Sequence, residues 1–295
     1  MRESFDAVIV GGGPAGASCA VWLRRLGLAP LLVEAGAGLG GLARDNPFRD
    51  DWIAVLPGAT GRQVAANIEA SVRGAGVAVR LGAPALAAAA TPGGFEVALA
   101  GGPAVRGRTL VIASGVRPRG FGREAGPLPG VLVGPGAAVA EQDFSGRSVA
   151  ILGGGDNAFE NHAYVLERGA RLAHVYARTV RAQRQWVARV PEADLRVGPY
   201  RADPRGRTVD GKPYDIMLVF YGWEPRAEFA DPLGLRRDAR GFVWTDPATA
   251  CTSLPGVYAV GEVARRMHPC VVTSLADGVV AAKAIQARLE AGAAG

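Results

Sequence analysis

Two stretches of this chain are near copies of one another: VIVGGGPAG, residues 8–16, and AILGGGDNA, residues 150–158. Each is a short apolar run, then a glycine cluster, then a helical pattern. A strand, a glycine turn, a helix and a further strand in that order make the βαβ context the motif requires, so each copy starts a βαβ unit. The chain therefore reads as α/β, with two Rossmann-like dinucleotide-binding domains of three layers. Few other folds accommodate that pair of signals.

In the first copy, the strand FDAVIV leads to Gly11, Gly13 and Gly16 and then to AGASCAVWLRRLG. Gly11 makes the tight turn, Gly13 lets the backbone approach a pyrophosphate, and Gly16 lets helix and strand pack closely. Pro14 and Ala15 open the helix, whose N-terminal amides and dipole suit phosphate. The next strand, APLLVEA, brings Glu34 18 residues past Gly16, where a carboxylate can accept from both hydroxyls of an adenosine ribose. Cys19 on this helix reads as core filler.

The second copy supplies Gly153, Gly155 and Ala158, with Asp156 and Asn157 at the helix start. The strand that follows ends in Ala177-Arg178, with no acid. Arg178, helped by Arg181 or Arg184, suits an adenosine 2′-phosphate better than a free hydroxyl. NADPH is favoured here, and NADH is the alternative.

Length and composition exclude several classes. A chain of 295 residues, 49% of them hydrophobic, can build two real cores. No apolar run approaches the roughly 20 residues of a membrane span, and the first residues enter a strand without a leader pattern, which predicts a cytoplasmic protein without membrane partners. The net charge of +6 comes almost wholly from scattered arginines, Lys212 and Lys283 being the only lysines. No basic stripe marks a nucleic-acid binder. Cys19, Cys251 and Cys270 make no metal-ligand spacing, His162, His174 and His268 no cluster, so no metal is expected.

Further landmarks follow in order: GLGG at 38–41, LVIASG at 110–115, FYGWEPR at 220–226, GVYAVGEV at 256–263 and TSLADG at 273–278. With the two glycine loops, they make the chain resemble the low-molecular-weight thioredoxin reductases over nearly its full length. The resemblance implies that the first loop binds FAD and the second NADPH. It also implies that the NAD(P) domain is inserted in a split FAD domain, here residues 1–115 and 243–295 around 116–242, and that the protein is a homodimer. On the FAD side it points to Gly40, Gly41, Ala113, Gly115 and Gly261, with Glu262 as the ribitol-binding acid where the family usually has Asp. It places Thr273 and Ser274 at the N-terminus of a last helix that starts near Val271 and faces the flavin. On the NADP side it adds Gly222.

The resemblance breaks at one place. The redox CxxC and following Asp of those reductases fall on GAAVA, residues 136–140, so Gly136 and Val139 stand where the cysteines would be and Ala140 where the acid would be. Without two thiols there is no dithiol relay, and a thioredoxin reductase is not expected. A branch of the same architecture, the thioredoxin-reductase-like ferredoxin/flavodoxin–NADP+ reductases, also lacks the pair and passes electrons from flavin to a docked protein. The expected function is thus an FAD-dependent NAD(P)H oxidoreductase serving an external acceptor: an acidic ferredoxin or flavodoxin first, a quinone next. A flavoprotein with a decayed nicotinamide site, and a flavin-binding sensing module without turnover, stay open as alternatives. Trp52 or Phe48 would stack on the flavin or pack the loop after GLGG. Arg265 and Arg266 would form a basic rim or merely be solvated. Cys270, where the family has a flavin-adjacent glutamine, would be a flavin contact or an inert filler.

Overall fold

The computed structural model describes residues 4–122 and 128–293. The chain forms two compact units: one takes the described residues up to Val116 and those from Glu224 onward, the other takes Arg117–Trp223. The second unit is thus inserted in the first, which is split.

The first unit begins with β1 (Ser4–Val10), α1 (Pro14–Arg25), β2 (Pro30–Val33), α2 (Gly61–Gly74), β3 (Ala78–Arg80), β4 (Ala85–Thr91), β5 (Gly94–Leu99) and β6 (Val105–Ile112). β2 and the last four residues of β1 are buried, as expected of a parallel sheet covered on both faces. Pro14 at the first helical position fixes the start of α1, and a Thr60–Gln63 capping box starts α2. Strand β7 (Val116–Pro118) carries the chain onward.

The second unit holds β8 (Val131–Val133), α3 (Ala137–Glu141), β9 (Ser148–Leu152), α4 (Asp156–Glu167), β10 (Leu172–Ala177), α5 (Arg184–Val187) and β11 (Leu195–Val197). A small antiparallel sheet, β12 (Ala202–Asp203), β13 (Thr208–Val209) and β14 (Lys212–Pro213), precedes β15 (Ile216–Val219). Its main sheet is wholly parallel, in the order β11-β10-β9-β15-β8. One face is packed by Phe144, Phe159 and Val165, the other by Tyr176, Val209 and Tyr214.

Strand β16 (Trp223–Pro225) returns the chain to the first unit, which ends with β17 (Val257–Ala259) and α6 (Val271–Ala293). The first sheet runs β3-β2-β1-β6-β5-β4. Along one edge of β6, β5 pairs with residues 105–107 and β17 with residues 110–112, so a parallel and an antiparallel neighbour share it. α1, α2 and α6 cover one face. The other face is covered partly by Ala227, Phe229, Ala230 and Leu235. This corrects the expected boundary at 242: residues 224–242 pack on the first sheet because these apolar side chains complete its core, and the inserted unit ends at Trp223.

Candidate functional site

In the first unit the glycines of the loop have separate physical reasons. Gly11 has φ +114°, and a Cβ there would lie 2.2 Å from the Ala113 carbonyl oxygen, while one on Gly16 would lie 2.0 Å from the Gly11 carbonyl. Both are demanded by packing alone. Gly13, the N-cap of α1, has no side-chain cap, and a Cβ on it would come no nearer to another atom than 3.8 Å, at Gly41. That open backbone at an uncapped helix N-terminus is what a pyrophosphate requires.

Glu34 stands at the end of β2 beside this loop. One carboxylate oxygen accepts from the Gly12 amide and the other from the Gly36 amide, each at 2.7 Å. The GLGG turn is tied to the same loop, since the Gly40 amide donates to the Gly12 carbonyl at 2.8 Å. Gly40 and Gly41 both have positive φ, and a Cβ on Gly40 would lie 2.3 Å from that of Ala65. Gly115, with φ +66°, has open space around it, and the Ser114 hydroxyl donates to the Arg226 carbonyl.

The end of β17 brings a second wall. Gly261, with φ +74°, sits over Ala15, and its amide donates to Asp277 Oδ2 at 2.7 Å. Asp277 is 1% exposed on α6 and stands 3.0 Å from Arg266 Nη1, an ion pair without the alignment of a hydrogen bond. A Cβ on the next residue, Gly278, would meet the Ala15 carbonyl oxygen at 2.3 Å. Ser18 Oγ donates to the Leu275 carbonyl at 2.7 Å where the same two helices cross. Nothing in the sequence alone marks Asp277, Gly278 or Ser18 for a role, although TSLADG contains two of them.

Gly261, Glu262, Arg265, Met267, His268, Pro269, Thr273, Ser274 and Asp277 line one pocket. Burial holds the Glu262 carboxyl above its ordinary range, with Arg265 opposing. Burial also raises Asp277, opposed by the Gly261 amide and by Arg266. The Thr273 hydroxyl is within reach of the His268 carbonyl at 2.5 Å and of Cys270 Sγ at 3.3 Å, so it is engaged with its own chain. Ser274 is buried, and Cys270 Sγ caps α6 by accepting from the Thr273 amide at 3.5 Å. Arg266 corrects the basic-rim reading: its side chain is 9% exposed, and it also donates to the Pro247 carbonyl. Arg265, by contrast, is exposed. Trp52 is 72% exposed, in a turn where its amide donates to Asp50, and Phe48 is half-buried.

In the second unit, Gly153 and Gly154 are again glycines for packing: Cβ atoms there would lie 2.5 Å from the Phe220 carbonyl and 2.0 Å from the Thr179 carbonyl. Gly155, the N-cap of α4, meets nothing within 4 Å and has no side-chain cap. It is the counterpart of Gly13. Ala158 is fully buried, and the Asn157 carbonyl accepts from Asn161. The Asp156 carboxylate accepts from the backbone amide and side-chain nitrogen of Gln183, both at 2.8 Å, while the Arg181 amide donates to the Gly154 carbonyl at 2.6 Å. The 179–183 segment is thereby strapped across the glycine loop. Arg178, exposed at the end of β10, reaches over the Tyr200 ring at 5.8 Å. Gly222, with φ +94°, is open and accepts from the Arg119 amide at 2.8 Å.

The positions that would carry thiols in the resembling reductases are filled otherwise. Gly136 caps the one-turn helix α3 with φ +127°, and Val139 is buried among Phe144 and Phe159. All three cysteines are free, and burial pushes the Cys19 thiol far up. Among the described residues, no group of His, Cys, Asp and Glu is placed to hold a metal, and no helix is long and apolar enough to cross a membrane.

The comparisons agree with this architecture. Similar chains include the ferredoxin–NADP reductase of Granulibacter bethesdensis, 28% identical over 88% of this chain and 81% of that one. The thioredoxin reductase of Listeria monocytogenes is 25% identical over 98% and 95% of the two chains. Among solved structures, T. acidophilum thioredoxin reductase superposes with a TM-score of 0.80 at 20% identity, covering 98% of this chain and 99% of that one. The fold is thus the thioredoxin-reductase-like pair of Rossmann domains. Matched over residues 5–278, the chain belongs to the pyridine nucleotide-disulphide oxidoreductase family.

Proposed function

We propose that the protein is an FAD-dependent NAD(P)H oxidoreductase in which NADPH reduces the flavin and electrons then pass to an external acceptor without a dithiol relay. The observation that carries this reading is the pair of open, uncapped helix N-termini at Gly13 and Gly155, in a chain whose thiol positions hold Gly136 and a buried Val139. FAD supplies the step from two-electron to one-electron chemistry, which no side chain here can.

The chain's own residues bind and orient. The α1 amides hold the FAD pyrophosphate and Glu34, fixed by Gly12 and Gly36, accepts from the adenosine ribose. Gly40, Gly41, Ala113 and Gly115 line its course. Gly261 and Glu262 hold the ribitol, and the N-terminus of α6 at Thr273 and Ser274 favours negative charge beside it. Trp52 and Cys270 are flavin neighbours in this reading. On the second unit, the α4 amides take the pyrophosphate of NADPH, Arg178 its 2′-phosphate, and Gly222 leaves room for its backbone contact.

The first acceptor to test is a ferredoxin or flavodoxin, supported by relatives named ferredoxin–NADP reductase; the assembly is a homodimer. Anaerobic titration of the FAD-loaded protein with NADPH tests the reading. Stoichiometric bleaching of the flavin's visible band is expected, with NADH far slower. A flavin that stays yellow under both nucleotides sinks it.

A further inference from the structure

In the first unit, residues 236–244 form an arginine-rich turn. Arg237 and Val243 make an antiparallel bridge, and the Trp244 amide donates to the Arg236 carbonyl at 2.9 Å. Two aromatic rings organise the cations. The Arg236 guanidinium lies 3.3 Å from the centroid of Trp244, which is 40% exposed. Arg240 and Arg265 flank the Phe242 ring at 5.5 and 5.0 Å. All three arginines are exposed.

The carboxylates of the same segment are turned elsewhere. Asp238 accepts from the Arg240 and Phe242 amides at 2.8 and 2.9 Å, Asp246 caps Ala248 and Thr249, and Asp231 pairs with Arg237. Among the described residues, neither Arg236 nor Arg265 makes an ion pair with a carboxylate. The result is a face with exposed apolar surface, Trp244 and Met267, set among the exposed guanidinium groups of Arg236 and Arg265.

This face is continuous with the candidate flavin wall. Arg265 and Met267 line the pocket that holds Glu262, Thr273 and Ser274. The Val243 amide donates to the Val263 carbonyl at 3.0 Å, fastening the arginine turn to the Gly261–Val263 segment. Arg265 itself is held with φ +48°, directing it outward while its neighbour Arg266 turns into the interior.

We propose that this face, Arg236, Arg240 and Arg265 around the exposed Trp244 and over the buried Phe242, is the docking surface for an acidic electron-carrier protein. The inference rests on the reading that reduced flavin discharges to an external acceptor. Charge complementarity favours an acidic protein: exposed guanidinium groups steer and orient an anionic partner, and the exposed Trp244 and Met267 side chains supply the apolar contact that steering alone lacks. The spacing is that of a small patch, not the continuous stripe a nucleic-acid backbone needs.

The test uses the FAD-loaded full chain and an acidic two-iron ferredoxin as probe. Binding of oxidised ferredoxin is measured by calorimetry at low and raised salt, for wild type, Arg236→Glu/Arg240→Glu and the milder Arg236→Gln/Arg240→Gln. In parallel, NADPH-driven reduction of a neutral benzoquinone reports on the flavin without the docking face. Wild type is expected to bind ferredoxin and to lose affinity with salt. The Glu pair should bind at least about tenfold more weakly and the Gln pair should lie between, with benzoquinone reduction unchanged in both. Absent binding by wild type, binding insensitive to salt and charge reversal, or equal capture of duplex DNA by the same face overturns the proposal. Failure of wild type to reduce benzoquinone instead sinks the oxidoreductase reading, and the binding arm reads separately from it.

Discussion

Asp277 Oδ2 accepts a 2.7 Å hydrogen bond from the amide of Gly261, so the first third of α6 grips the turn that presents Glu262. The same carboxylate faces the buried Arg266 guanidinium at 3.0 Å. Removing it leaves a largely buried cation without its carboxylate. Asp277→Ala should therefore cost about 3–5 kcal/mol of stability and release FAD. Asp277→Asn keeps the acceptor for Gly261 and should lose less. Chemical denaturation with flavin content read alongside checks both; an Ala variant as stable as wild type would show that the pair carries nothing.

Gly278 and Gly155 should behave oppositely when given a methyl group. At Gly278 the added carbon would meet the Ala15 carbonyl at 2.3 Å and the Cys19 amide at 2.7 Å, wedging α1 from α6. Gly278→Ala should destabilise by about 1–3 kcal/mol. Gly155 meets nothing, so Gly155→Ala should leave the thermal midpoint nearly unchanged while raising KM for NADPH about tenfold, since the methyl occupies the phosphate's approach. Equal loss of stability in both would mean that Gly155, too, is only a packing glycine.

Arg178 sets nucleotide preference in this account. Arg178→Ala should lower kcat/KM for NADPH about tenfold to hundredfold, the worth of a charge-assisted contact, and leave NADH nearly untouched. A parallel fall for both nucleotides would move Arg178 from recognition to structure.

Glu262 gives a pH signature to the flavin-free protein. Burial raises its carboxyl above the ordinary 4.5, so the folded state binds the proton more tightly than the unfolded chain. Its contribution is fully present below the unfolded value and is lost as pH rises through the raised folded value. Glu262→Gln should match wild type at acid pH and grow relatively more stable as pH climbs above 4.5. Melting curves across that range decide it; a difference that is flat with pH would contradict the burial argument.

How far the sequence led depends on how local each determinant is. Both glycine loops, the strands around them, the start of α6 at Val271 and the position of Glu34 were readable because turn chemistry and periodicity act over a few residues. Asp277 and Gly278 were not, because their partners, Gly261 and Ala15, are brought to them by the fold. Arg265 and Arg266 look alike in sequence yet part company, one outward and one buried, through a backbone reversal that composition does not announce. The boundary slipped from 223 to 242 because Phe229, Ala230 and Leu235 carry core contacts on a short 3-10 helix and the chain just after it, too short for a periodicity that marks an element.

The most direct measurement compares electron sinks. With FAD-loaded protein and NADPH, steady-state turnover is recorded with a neutral quinone, with an acidic ferredoxin and with a disulfide such as oxidised thioredoxin. Turnover with the quinone or the ferredoxin, and only background with the disulfide, is the predicted result; efficient disulfide reduction by a chain whose relay positions are Gly136 and Val139 would contradict the account.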